Sequence, residues 1–180
     1  MPRNPDVEPD VVPTDVWDAA SRIEGWLTRE EANLLWRYCL GPWCEVGTFK
    51  GRSARVLSAR GHGYCVDLCE DWYADDLRRN LNGTAPVRVI RGDFRDVVDQ
   101  VPAFLSFLYL DAGHSFDETI EAFELYSPKV ISGGHIALHD VLELHPGEMD
   151  WPGANSALHV LTREAWQLVA AAHRVAVFRV

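Results

Sequence analysis

Short apolar runs alternate with helical patterns along this chain, and each run has an acid in it or within a few residues of its end. This order limits the fold more than any other feature. Trp43–Val46 carries Glu45 and leads into a glycine-containing turn. Tyr64-Cys65-Val66 ends at Asp67, Val87–Ile90 precedes Asp93, Phe104–Leu110 ends at Asp111, and His135–Leu138 ends at His139-Asp140. Helical patterns fill the gaps: about Gly51 to Ala59, Asp75 to Leu81, and a stretch with Phe116, Ile120, Phe123 and Tyr126 on one face. Thr28 with Glu31, and Ser115 with Glu118, have capping-box spacing, in which a hydroxyl and a carboxylate satisfy each other's backbone N–H groups. Gly41-Pro42 stops the helix that Thr28 starts, and Ser132-Gly133-Gly134 punctuates before the fifth strand. After a further helix, Trp166–Ala170 and Val175–Val180 read as two strands joined by a tight turn. The expected fold is α/β: a mostly parallel, seven-stranded sheet with helices on both faces and a C-terminal antiparallel hairpin.

Composition sets the class. With 180 residues, 47% hydrophobic and 24% charged, the chain has the size and balance of one globular domain. The expected division is a flexible lead-in over 1–22 and a single domain over 23–180. A formal net charge of −10 repels phosphate backbones and argues against a nucleic-acid partner. No apolar run approaches the roughly 20 residues needed to cross a bilayer, so no membrane partner is expected. The Pro- and acid-rich first ten residues are unlike a signal or transit peptide. Cys39, Cys44, Cys65 and Cys69 lack zinc-site spacing and read as buried, reduced thiols, which fits a cytoplasmic protein.

In open parallel sheets, ligands bind beyond the carboxyl ends of the strands. The first such loop reads Glu45-Val46-Gly47-Thr48-Phe49-Lys50-Gly51-Arg52-Ser53. Its E-x-G-x-x-x-G spacing is neither the dinucleotide fingerprint nor a P-loop. A carboxylate at that strand end opposes a pyrophosphate and suits a cationic sulfonium amino acid. Asp67 follows Glu45 by 22 positions, near the offset of an acid that holds ribose hydroxyls. The plainer alternative is a glycine turn beside a solvated acid.

Asp111-Ala112-Gly113-His114 places a carboxylate three residues before an imidazole able to take a proton near neutral pH. His139-Asp140 falls beside it in the expected strand order. The cluster suits a divalent ion, with magnesium the default for carboxylate-rich sites. The competing reading has Asp111 touching only the cofactor and His139 packed in the strand. His62, His145, His159 and His173 read as surface or loop residues. Trp17, Trp26, Trp36, Trp72 and Trp151 fall near segments that would rim a pocket, and most read as core or interface packing.

The stretch from Ile23 to Val141 resembles the class I S-adenosylmethionine (SAM)-dependent methyltransferases of the macrocin O-methyltransferase and cephalosporin-hydroxylase-like group. The resemblance is carried by EVGTFKGRS (45–53), YCVDL (64–68), GDFRD (92–96), LYLDAGHSFDETIEAF (108–123) and PKVISGGHIALHD (128–140). It implies a Rossmann-like fold and a SAM-dependent O-methyltransferase acting on a hydroxyl of a small molecule, such as a sugar or natural product. Glu45, Gly47 and Gly51 would line the methionine part of SAM, with Ser53 near its carboxylate. Asp67 would meet the ribose and Asp93 with Phe94 the adenine, while Thr48, Phe49, Leu68 and Asp111 would also bind the cofactor. By the same resemblance Asp111, His139 and Asp140 would hold Mg2+, and His114 would act as base. His139 departs from the pattern, because relatives carry an acid there. Only residues 1–26 and 142–155 remain to cover the pocket, which fits either a large acceptor on an open site or a second subunit completing the pocket in a homo-oligomer. The alternatives are a non-catalytic SAM-binding module, a non-haem iron hydroxylase using His114, His139 and Asp111, and an NAD-dependent oxidoreductase.

Overall fold

The computed structural model describes residues 11–142, 157, 161 and 166–180. Seven strands form one sheet: β1 Trp43–Val46, β2 Gly63–Asp67, β3 Val87–Arg91, β4 Leu105–Leu110, β5 Val130–Leu138, β6 Gln167–Ala172 and β7 Val175–Arg179. Their order across the sheet is β3-β2-β1-β4-β5-β7-β6. The first five are parallel, and β7 runs antiparallel between β5 and β6. The expected mostly parallel sheet with a terminal antiparallel hairpin is the one observed.

Central strands are apolar because both faces are covered. One face carries Phe107, Tyr109, Cys65 and Trp43 beneath helices α1 (Thr14–Ser21), α2 (Arg29–Tyr38) and α3 (Arg52–Ser58). The other carries Leu108, Leu110, Val46 and Ile136 against α5 (Phe94–Val97) and α6 (Phe116–Tyr126). On the α3 side, α4 (Ala74–Leu81) packs Leu77 near the β2 end and Leu81 against the core of that face. The first capping box forms, with Glu31 N donating to Thr28 Oγ1 and Thr28 N to Glu31 Oε2. The second forms only in half, because Glu118 N donates to Ser115 Oγ but the Glu118 carboxylate accepts from the Ser115 hydroxyl and not from its backbone N–H. All four cysteines are buried and stand outside any disulfide. No helix among the described residues is long and apolar enough to cross a membrane.

Two expectations need correction. The lead-in expected over 1–22 is helical over Thr14–Ser21, with Val12 and Ala20 buried against the α2–α3 side of the core. That helix starts after Pro13 without a side-chain cap, so it has no local start signal of the usual kind. The fifth strand begins at Val130, and Ser132-Gly133-Gly134 lies within it, because Gly133 N and Gly134 O bond the Val180 backbone. The helix expected before the hairpin falls outside the described residues except for Ala157 and Leu161, and His145, Trp151 and His159 lie outside them too.

Candidate active site

The carboxyl ends of β1, β2, β4 and β5 open onto a cleft of about 730 Å³. A smaller lobe of about 230 Å³ adjoins it, sharing Gly47, Asp67 and Tyr73 as walls.

The β1–α3 loop forms the shared floor. Gly47 has φ +88°, and a Cβ there would stand 2.3 Å from the Asp111 carbonyl oxygen, so only glycine lets this loop pass over the β4 end. Thr48 N and Phe49 N both donate to Asp67 Oδ2 at 2.8 Å. The other oxygen, Oδ1, accepts from Cys69 N at 2.6 Å and from the Tyr73 hydroxyl. Asp67 therefore fastens the loop to the β2 end while remaining in the cleft wall. Arg52 donates Nε to Ile23 O at 2.6 Å and Nη1 to Leu27 O at 3.1 Å, drawing the α1–α2 connection over the same space.

Gly47, Thr48, Phe49, Ser53, Asp67 and Asp111 line the larger lobe, and Leu68, Asp93 and Phe94 line the smaller. Two expected lining residues stand elsewhere. Glu45 is fully buried beneath the loop, with Oε1 unpartnered. Burial pushes its carboxyl up to about 8, against the pull of the Ser53 and Thr48 hydroxyls and with help from Asp111. Gly51 begins α3 at φ +90°, and its open side faces Leu77 of α4. Its freedom serves helix packing, because a side chain there would strike α4.

The larger lobe also gathers Asp111, His114, His139 and Asp140. Side-by-side pairing of β4 with β5 brings the two strand ends together, and His139 N donates to Leu110 O at 3.0 Å. His139 Nδ1 lies 3.1 Å from Asp111 Oδ1 and 3.4 Å from Asp140 Oδ2. His114 Nδ1 lies 3.4 Å from Asp140 Oδ2. Asp140 adopts φ +55°, a left-handed conformation that aspartate tolerates better than most residues. One ligand atom each from Asp111, His139 and Asp140 fall within 4.8 Å of one another. Both ring nitrogens of His139 are buried without a hydrogen-bond partner. Two carboxylates facing an orphaned imidazole nitrogen are a donor set that fits a divalent ion. Burial disfavours a charged His139, yet Asp111, Asp140 and Glu31 together hold its pKa well above the usual histidine range. Asp140 is drawn below the usual carboxylate range, because His139, His114 and Arg174 outweigh its burial.

Two residues of this cluster were not anticipated as site residues. Glu31, 1% exposed, places Oε1 3.6 Å from His139 Nε2. Arg174, in the β6–β7 turn, places Nη1 3.5 Å from Asp140 Oδ1. The capping box announces Glu31 only as a helix-start residue, and nothing local marks Arg174. Of the tryptophans, Trp36 is core, while Trp26 and Trp72 are 72% and 64% exposed. These two rings flank Phe49 at 5.4 and 5.6 Å between centroids. His62 and His173 are exposed, as expected.

A family model described as a methyltransferase domain matches residues 44–141. No protein of curated function matches the sequence. Among solved structures, cofactor-bound Rv0187 from MTB is 16% identical, over 92% of this chain and 86% of that one, with a TM-score of 0.69. TomG of Streptomyces achromogenes, an O-methyltransferase of tomaymycin synthesis solved with SAM, is 15% identical over 94% and 91%, with a TM-score of 0.69. An O-methyltransferase from Bacillus cereus in complex with SAH is 15% identical over 93% and 92%, with a TM-score of 0.65. At these identities the likeness establishes the fold. The family match, spanning more than half of the chain and β1 to β5 except Trp43, establishes the rest: the chain belongs to the methyltransferase-domain family and has its Rossmann-like class I fold.

Proposed function

We propose that this chain is a SAM-dependent O-methyltransferase acting on a hydroxyl of a small-molecule acceptor. The observation that carries the reading is the convergence of Asp111, His114, His139 and Asp140 in the lobe floored by Gly47 and Asp67. The complexes of TomG with SAM and of the B. cereus enzyme with SAH support the choice of donor. Gly47, Thr48, Phe49 and Ser53 would hold its amino-acid end, with Glu45 beneath the loop as counter-charge. Asp67 would meet the ribose, and Leu68, Asp93 and Phe94 the adenine. When bound, the donor supplies a methyl group on a positively charged sulfur.

Asp111, His139 and Asp140 would hold a divalent ion, expected to be Mg2+, which supplies a Lewis acid that lowers an acceptor hydroxyl's pKa. His114 takes the hydroxyl proton. Asp140 beside Nδ1 steadies the ring and leaves Nε2 as the basic atom. The cleft walls align acceptor with donor, which contributes through proximity and orientation. Trp26, exposed against Phe49 at the rim, offers a flat apolar surface suited to a sugar or a ring-containing natural product. The metal-ligand group contains two carboxylates and one imidazole, and His114 is not part of it. That composition differs from the two-imidazole, one-carboxylate set of non-haem iron oxygenases and favours methyl transfer.

Calorimetric titration with SAM, SAH and NAD tests the reading, followed by labelled-methyl transfer to a panel of hydroxylated acceptors. SAM and SAH are expected to bind and NAD to give no heat. Binding of NAD without a response to SAM would overturn the proposal.

A further inference from the structure

Glu31 is a buried carboxylate with three donors around it. Its Oε2 accepts the Thr28 N–H at 2.7 Å. Its Oε1 accepts the Arg174 N–H at 3.1 Å and lies 3.6 Å from His139 Nε2. On the opposite edge of the same ring, Nδ1 faces Asp111 and Asp140 at 3.1 and 3.4 Å. Neither ring nitrogen makes a hydrogen bond. The two edges differ in what they can accept. The Glu31 carboxylate is fixed by two backbone N–H groups and is suited to receive one more N–H. The Asp111 and Asp140 carboxylates, with Nδ1 between them, form the only candidate metal-ligand group among the described residues. Histidines that bind a metal through one nitrogen usually donate the other N–H to a carboxylate, which fixes tautomer and ring orientation.

We propose that Glu31 holds His139 with Nδ1 presented to Asp111 and Asp140, and that this nitrogen makes the centre select a first-row transition-metal ion, such as manganese(II) or cobalt(II), over magnesium. The inference rests on the metal reading of the proposed function and changes the identity of the ion. Magnesium is a hard ion that prefers oxygen ligands and dehydrates reluctantly, so an imidazole adds little to its binding. An imidazole raises affinity for the transition ions, increasingly from manganese to cobalt. Glu31 is a positioning residue here: it acts through His139 and touches no reacting atom.

The test is titration of the chelator-treated full chain with Co2+, Mn2+ and Mg2+ separately, together with pulsed EPR of the manganese form to detect an imidazole nitrogen. The wild type is expected to bind Co2+ at least about 100-fold more tightly than Mg2+ and to show the nitrogen signal. His139→Asp should erase the signal and bring the Co2+/Mg2+ ratio down about tenfold or more. Glu31→Gln leaves one acceptor oxygen for three donors, and should weaken Co2+ binding by about 10–100-fold with a smaller effect on Mg2+. Because Glu31 also caps α2, Thr28→Ala serves as control: it should lower the melting temperature and leave the metal ratio unchanged. A ratio unmoved by His139→Asp overturns the choice of ion, and unchanged Co2+ affinity in Glu31→Gln overturns the positioning role. SAM titration of the same samples separates the two levels. A wild type that binds SAM but no divalent ion, as a protonated His139 bridging the acids would, refutes this inference and leaves methyl transfer standing. Failure to bind SAM defeats the proposed function itself.

Discussion

The backbone N–H of Phe49 donates to Asp67 Oδ2 at 2.8 Å, joining the loop after β1 to the end of β2. Phe49 has φ +50°, and the loop also needs Gly47 at φ +88° and Gly51 at φ +90°. Glycine takes that conformation freely, so the cost, about 1–2 kcal/mol, falls on Phe49. The Asp67 carboxylate offsets that cost by accepting two loop N–H groups on one oxygen, and it takes the Cys69 N–H and Tyr73 hydroxyl on the other.

Asp67→Asn therefore acts on the fold as well as on the cofactor site. An amide must turn its NH2 either to the loop N–H groups or to Cys69 N, leaving buried donors unpaired. The expected loss is about 1–3 kcal/mol of stability by urea unfolding. SAM affinity should fall with it, and unchanged stability would remove the loop-fastening role.

Glu45 gives the protein a pH signature. Its carboxyl stands at about 8 in the folded chain against 4.5 as a free group, so the folded state binds a proton that the unfolded chain has already lost. The stability from this group is complete below about 4.5, falls as pH rises, and is gone above about 8. Urea unfolding from pH 5 to 8 should show this slope in the wild type, and a smaller one in Glu45→Gln. On the proposed function, a cationic donor favours the carboxylate form. SAM binding at pH 7 should then release a proton, seen as buffer-dependent heat and absent in the variant.

His114→Ala should lower the methyl-transfer rate by about 10²–10⁴-fold, the usual worth of a positioned base. SAM affinity should change little, because the imidazole belongs to the acceptor side. Full turnover in this variant, measured with a labelled methyl group, would refute the assignment of the base.

Gly47→Ala and Gly83→Ala separate backbone strain from close approach. Both positions have positive φ, +88° and +75°, but nothing lies within 4 Å of a Cβ at Gly83. Gly83→Ala should cost about 1–2 kcal/mol, the left-handed penalty alone. Gly47→Ala adds a collision with the Asp111 backbone and should cost more than about 4 kcal/mol or abolish folding. Equal melting temperatures for the two variants would show that the loop can move away from β4.

Much of this molecule was legible in local patterns. Strand and helix periodicities report which faces are buried, so the seven strands and the helices α3, α4 and α6 could be read in order. The acids at strand ends could be read too. In a parallel sheet those ends point the same way, and the β4–β5 pairing then brings Asp111 and His114 to His139 and Asp140. What the pattern could not supply was the path of the chain around that end. Glu31 meets the Arg174 backbone across 143 positions, and no periodicity encodes a contact between a helix cap and a hairpin turn. Glu45 has the spacing of a lining residue, but β1 turns its side chain beneath the loop. Helix α1 lacks a side-chain cap and is recognisable only by the core it covers. Local sequence determined the elements and the acids at their ends, because hydrogen-bond geometry and burial periodicity act over a few residues. Tertiary packing alone decided which groups surround His139, because those neighbours come from α2, β4, β5 and the β6–β7 turn, brought together only when the core closes.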